Sequence, residues 1–62
     1  MKVLVRKSNN LVVAILNDED GLGFCISALK NIISLYHESD DTVVGVGYTC
    51  TINQDNSRSY SP

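Results

Sequence analysis

The sequence has little cysteine and no long apolar run. Cysteine occurs twice in 62 residues, at Cys25 and Cys50, which is too few for a disulfide framework, and the two are not spaced as a zinc-ligand pair. The apolar run Leu11–Leu16 is shorter than the core of a signal peptide and far shorter than a membrane span. We therefore expect a cytoplasmic protein with reduced thiols and no membrane segment.

Positive charge is also scarce. Five Lys and Arg residues stand against seven Asp and Glu residues, with a formal net charge of -2 and a sequence pI near 4.9. Nucleic-acid binders generally have the opposite balance, because Lys and Arg must neutralise phosphates. We therefore expect no nucleic-acid partner. The alternative is a local basic patch, formed by Lys2, Arg6, Lys7 and Arg58.

Residues with catalytic or metal-binding chemistry form no recognisable motif. His37 is the one histidine, and no nucleophile motif surrounds a serine or cysteine. Cys25, Cys50 and His37 are conceivable metal or redox groups, but free cysteine usually behaves as a small buried apolar residue. We therefore expect no enzymatic activity, no cofactor and no metal. Six of the seven acidic residues lie in residues 18–20 and 38–41. These segments are interpreted either as solvated loops or as an acidic surface for a basic partner.

The most periodic segment is Leu22–Tyr36, with the sequence LGFCISALKNIISLY. Its apolar positions recur with helical spacing and cover an arc of about 200°, roughly twice what a helix needs to cover one sheet face. The pattern predicts a helix with a second apolar neighbour. A chain this short has a thin core and little left to supply that neighbour, so oligomerisation is the expected support.

Three strands are predicted around this helix. Lys2–Lys7 and Leu11–Leu16 read as a hairpin that turns at Asn9-Asn10, either with a two-residue or with a four-residue loop. Val43–Asn53 alternates between apolar and small or polar residues and is the predicted third strand. We expect this strand beside the first one, in the order 2-1-3. The predicted face toward the helix consists of Val3, Val5, Lys7, Val12, Ala14 and Leu16.

These elements define an α+β fold of the ββαβ class, with a three-stranded antiparallel sheet and one helix packed on one face. The predicted domain covers residues 1–53. Residues 54–62 are polar and are predicted to be a C-terminal tail.

The predicted interface follows from the surplus of apolar surface. Gly45 and Gly47, read as strand residues, leave a patch without side chains on the sheet face away from the helix. An apolar surface of this kind indicates a contact site, and a two-fold homodimer is the commonest arrangement. The predicted interface residues are Leu4, Leu11, Val13, Ile15, Phe24, Ala28, Leu35, Gly45 and Gly47.

Two functions are compatible with this surface. The first is a non-enzymatic, protein-binding regulator or inhibitor that acts as a homodimer on a larger protein, in the size class of phage and mobile-element accessory proteins. The alternative is binding of a small anionic ligand, such as a nucleotide, at a subunit interface. That site would use the cations Lys2 and Arg6 and the hydroxyls of Thr49 and Thr51, beside the two glycines.

Overall fold

Five short strands in two antiparallel sheets make up the described part of the fold. The structure is a computed structural model and describes residues 1–17 and 30–62. The strands are β1 (Lys2–Arg6), β2 (Val12–Leu16), β3 (Ile33–His37), β4 (Thr49–Ile52) and β5 (Arg58–Ser61). One sheet has the order β2-β1-β3, and β4 pairs with β5 in the other. The described residues are therefore all-β, so the predicted ββαβ class is wrong, although the antiparallel 2-1-3 sheet is confirmed.

The predicted helix Leu22–Tyr36 is contradicted where the structure describes it. Residues 22–29 lie outside the described residues, but residues 30–32 form a turn and Ile33–His37 form a strand beside β1. Helical spacing in this segment competes with β-branched and aromatic residues, which favour strands. Val3 pairs with Tyr36, so strand formation brings the ring to the core and gives β1 a second partner. Tertiary pairing thus overrides the helical periodicity.

The third strand of the sheet is therefore β3 and not the predicted segment Val43–Asn53. Within that segment, strand structure begins at Thr49, because a turn closes across the two glycines. Tyr48 N–H donates to the Gly45 carbonyl at 3.1 Å, and Gly47 has a φ of 93°, a backbone conformation that favours glycine. The alternating pattern therefore runs across a turn instead of along one strand.

The first hairpin closes through a four-residue loop. Arg6 N–H donates to the Leu11 carbonyl and Asn10 N–H donates to the Arg6 carbonyl, both at 2.8 Å. Asn10 has a φ of 58°, which asparagine tolerates better than most residues. The Asn9 side-chain oxygen accepts a hydrogen bond from Leu11 N–H at 3.2 Å. The two asparagines thus stabilise the turn, and the loop has the longer of the two predicted lengths.

A bulge in β2 changes which residues share a face. Val5 pairs with Val12 but Leu4 pairs with Ala14, so the register shifts at Val13. Beyond the bulge, Val3 lies opposite Ile15, and Ile15 packs against the core in the place predicted for Ala14. The predicted inner face is correct for Val3, Val5 and Val12. It is wrong for Ala14 and Leu16, because one extra residue reverses the alternation.

The core lies between the two sheets. Its buried members are Val3, Val5, Val12 and Cys50, with Met1, Ile15, Tyr36, Val44, Tyr48 and Tyr60 packed around them. Backbone hydrogen bonds join the two sheets at the start of β2. Val12 N–H donates to the Tyr48 carbonyl and Cys50 N–H donates to the Asn10 carbonyl, both at 2.8 Å. These bonds fix β4 beside β2 and bring Cys50 into the core.

The C-terminal hairpin places strand β5 within the segment predicted to be a polar tail. Asn53 N–H donates to the Ser57 carbonyl at 2.8 Å, and Asn56 has a φ of 68°, as in a three-residue hairpin loop with a left-handed final residue. Asp55 accepts hydrogen bonds from the backbone and side chain of Ser57. The segment is polar because one face of its strand is exposed to solvent, while Tyr60 on the other face packs against the core.

Candidate functional site

The connection between β3 and β4 carries an exposed apolar loop, residues 43–47, which we call the valine loop. The side chains of Val43 and Val46 are 79% and 66% exposed, whereas Val44 packs against the core. Before the loop, Thr42 N–H donates to the Ser39 carbonyl at 3.0 Å and the Ser39 hydroxyl donates to Asp41. Two apolar side chains thus project beside an acidic turn.

The valine loop is held at both of its glycines, by β2 at Gly47 and by the Tyr48 ring at Gly45. Gly47 N–H donates to the Val12 carbonyl at 2.9 Å. The Tyr48 ring packs on Gly45 so closely that a methyl group there would lie 3.0 Å from Tyr48 Cε1. The positive φ of Gly47 completes the turn. Together with the half-buried Val44, which packs against the core, these contacts hold the backbone that presents the two exposed valines.

An ion pair lies at the end of β3. Arg58 donates to Glu38 Oε1 from Nη2 at 2.6 Å and from Nε at 3.2 Å. The Arg58 guanidinium carbon also lies 4.6 Å from the centre of the Tyr36 ring, within the range of a cation–π contact. The Arg58 hydrogen bond lowers the pKa of Glu38, and the same bond raises that of Arg58. This pair connects β5 to the end of β3.

Cys50 and Tyr60 are cross-strand neighbours inside the core. Burial is the main cause that raises the pKa of both groups, and the nearby Glu38 carboxylate adds to it. The Tyr60 hydroxyl is buried and makes no hydrogen bond with the described part of the chain. A thiol held protonated in this way is a poor nucleophile and a poor metal ligand. Cys50 thus acts as a core residue.

The outer edge of β3 carries backbone groups that no strand pairs among residues 1–17 and 30–62. Lys7 N–H donates to the Ile32 carbonyl at 2.8 Å and Glu38 N–H donates to the Met1 carbonyl at 2.9 Å. In an antiparallel pair, backbone groups alternate in direction. The backbone N–H and C=O groups of Ser34 and Tyr36 therefore point toward β1, as do those of Ile32 and Glu38. The backbone groups of Ile33, Leu35 and His37 point outward, and we call these three residues the β3 edge.

The structure divides the predicted interface among several places. Leu4 and Leu35 are cross-strand neighbours on the outer face of the three-stranded sheet, where Leu4 is buried and Leu35 half-buried. Ile15 packs toward the core, Val13 is the bulge residue, and Leu11 pairs with Thr49 where the two sheets join. The remaining members are Gly45 and Gly47, in the valine loop, and Phe24 and Ala28, which lie outside the described residues.

The predicted ligand-binding residues do not come together within one chain. Lys2 and Arg6 alternate with the core residues of β1 and so belong to the outer face of the three-stranded sheet. Thr49 and Thr51 flank Cys50 and belong to the outer face of the β4–β5 hairpin. The core lies between these two faces, so the cations and the hydroxyls lie on different sides of the molecule.

Sequence reasoning missed the three features that define these surfaces. It assigned Val46 to a strand, Ile33 to a helix and Arg58 to a tail. The Gly45-Val46-Gly47 pattern was a usable signal, because two glycines around one apolar residue also suit a turn that projects a side chain. Nothing in the sequence pairs Arg58 with Glu38, since only the fold brings them together.

Comparisons with protein-family models, curated proteins and solved structures give no match to this chain. Within residues 1–17 and 30–62, no three metal-ligating side chains are grouped closely enough to hold an ion. The same described residues contain no helix of the length and apolarity needed to cross a membrane. The candidate site is therefore defined by the geometry of the chain alone.

Proposed function

We propose that this chain is a non-enzymatic protein-binding module that regulates or inhibits a larger protein and acts as a homodimer. The observation that carries the proposal is the valine loop, with two exposed apolar side chains on an anchored backbone. A preorganised loop loses little conformational entropy when it binds, so more of the contact energy contributes to affinity. Such a loop is suited to inserting two valines into a partner.

The surroundings of the valine loop define the chemistry of its target. Asp40 and Asp41 lie in the turn just before the loop, and both are exposed. Val43 and Val46 would fill an apolar recess, while the two carboxylates would face a basic rim. Rim charges of opposite sign speed association and discriminate against wrong partners more than they add affinity. The proposed target therefore has a small apolar pocket with Lys or Arg at its edge.

The non-enzymatic part of the proposal is supported by the chemistry of the described side chains. The Cys50 thiol is buried with a raised pKa, and the Glu38 carboxylate is held by Arg58. Both groups are engaged in the core or in the ion pair. Apolar contact at the valine loop is the chemistry on which the proposal rests.

Capture from the native host tests the proposal. The wild-type chain, the double variant V43S/V46S and the control I52S are immobilised, and retained proteins are quantified by mass spectrometry. Ile52 is a good control because it is also an exposed apolar residue, but in β4. We expect one protein to be retained by wild type and I52S and lost with V43S/V46S. Equal retention by all three, with unchanged circular dichroism, would contradict the role of the valine loop.

A further inference from the structure

We propose that the β3 edge is the two-fold interface of the homodimer, with β3 paired antiparallel to β3 of a second copy and Leu35 opposite Leu35. This inference rests on the homodimer in the proposed function, but not on the valine loop. It makes one continuous sheet from the three-stranded sheets of two chains.

The backbone of the β3 edge is ready for such pairing. The outward N–H and C=O groups belong to Ile33, Leu35 and His37, and Ile33 would pair with His37 of the second copy. The β1–β3 register runs from Lys2–His37 to Arg6–Ile33 without a shift. Strand edges in soluble proteins are usually protected by a bulge, a proline or a lysine within the strand. β3 has none of these over Ile33–His37.

Charge at the two ends of β3 selects the antiparallel orientation. At its start, Lys7 Nζ donates to the Lys30 backbone carbonyl at 2.6 Å, so two cationic residues belong to this end of the strand. At its end lie Glu38, Asp40 and Asp41. Antiparallel pairing about Leu35 places Lys30 of each copy opposite Asp40 of the other, whereas parallel pairing would place like charges together. Asp40 also binds the Met1 amine at 3.0 Å, yet its side chain is 91% exposed and accessible to a second chain.

Side chains on the outer face favour the same arrangement. Leu4 lies opposite Leu35 across the β1–β3 pair and is buried within its own chain, whereas Leu35 is half-buried. Pairing about Leu35 would therefore bring the Leu35 side chains of the two copies together. Cross-strand contacts of this kind stabilise sheets. The contacts of Arg58 do not interfere, because Tyr36 and Glu38 project to the core side, opposite the outer face. A second copy of this chain thus matches the edge in hydrogen bonds and charge, with Leu35 as the apolar contact.

His37→Pro and His37→Ala test the interface. Both remove the imidazole, but proline also removes the outward N–H, which an edge strand tolerates when that group does not pair within the fold. Sedimentation velocity over about 1 to 500 µM gives the dimer dissociation constant. We expect H37A to change it little and H37P to raise it about tenfold or more, with the circular dichroism of both like that of wild type.

A charge exchange tests the orientation. Lys30→Glu and Asp40→Lys each place like charges opposite one another in a homodimer, so each variant alone should dimerise about tenfold more weakly. An equimolar mixture restores opposite charges at both positions, and we expect a heterodimer as stable as the wild-type dimer. A mixture that dimerises no better than the single variants would overturn the antiparallel register.

The remaining outcomes separate this inference from the proposed function. A wild-type chain that stays monomeric over the whole concentration range overturns the dimer, while the V43S/V46S capture result stands or fails independently. A wild-type dimer that H37P leaves unchanged overturns this interface but not the homodimer. If the chain is monomeric and H37P abolishes capture of the target, the edge binds the target and not a second copy.

Discussion

Arg58 on β5 donates two hydrogen bonds to the same carboxylate oxygen of Glu38, which directly follows β3. An isolated bridge between Leu11 and Thr49 joins the two sheets near the start of β2, and the ion pair adds a second connection, from β5 to the end of β3. The pair is partly shielded, with the Glu38 side chain 11% exposed. Charge-assisted hydrogen bonds that are shielded in this way contribute more than surface ion pairs.

Arg58→Lys should therefore weaken the fold. Lysine keeps the charge but cannot donate from two nitrogens in the same geometry, and it lacks the planar group that lies over the Tyr36 ring. We expect a loss of about 1 kcal/mol in the free energy of unfolding, measured by urea titration. Lys7→Arg, at an exposed position in the first hairpin loop, is the control and should change stability little. An unchanged urea midpoint for R58K would show that the ion pair does not stabilise the fold.

Glu38→Gln should remove part of the dependence of stability on acid. The Arg58 hydrogen bond lowers the Glu38 pKa below its ordinary value of 4.5. The folded state thus binds this proton less readily than the unfolded state. The stabilisation is fully present above the ordinary pKa and is lost as the pH falls through the lower, folded-state pKa. Between about pH 5 and pH 3, wild type should lose more stability than E38Q.

Thermal unfolding followed by circular dichroism at several pH values measures this difference. The Asp55 pKa is also lowered, mainly by hydrogen bonds from Ser57, so some acid dependence should remain in E38Q. Asp55→Asn is the matched control and leaves the Glu38 contribution in place. Parallel curves for wild type and E38Q below pH 5 would contradict the prediction.

The sequence predicts the parts of the fold that depend on local chemistry. The hairpin of β1 and β2, the asparagine turn and the inner positions of Val3, Val5 and Val12 all follow from alternation and from the conformational preference of asparagine. The bulge at Val13 does not. One extra residue exchanges Ala14 for Ile15 at the core, and no composition signal marks it, because all residues from Leu11 to Leu16 are apolar.

The helix error has a different physical cause. Ile33, Leu35 and Tyr36 fit the apolar side of the predicted helix, yet Ile33, Leu35 and His37 alternate equally well with Ser34 and Tyr36 along a strand. The choice depends on the second edge of β1, which needs a hydrogen-bonding partner and finds it far along the chain. For the same reason the candidate site was only partly predictable, since Gly45 and Gly47 were recognised as special but Val43 and Val46 were not.

Gly47→Ala should destabilise the valine loop. A φ of 93° costs an alanine about 1–2 kcal/mol relative to glycine, although no atom blocks the added methyl group. Gly47→Asn is the matched control, since asparagine tolerates positive φ better, and it should lose less. Urea titration measures both variants. If alanine is tolerated as well as asparagine, the turn is not held in this conformation, and the preorganisation argued for the valine loop is lost with it.

Tyr60→Phe should be as stable as wild type at neutral pH, or more stable by up to about 1 kcal/mol. The reason is that the buried hydroxyl loses its hydrogen bonds to water on folding and gains none among the described residues. Burial raises the Tyr60 pKa above its ordinary value of 10.0. The unfolded state therefore releases this proton first, and wild type should lose stability as the pH rises above about 10. Y60F should lose less, with a residual decline from Cys50, whose pKa is also raised by burial. Urea titrations at neutral and alkaline pH measure both effects, and a Y60F variant that is clearly less stable at neutral pH would show that the hydroxyl has a partner.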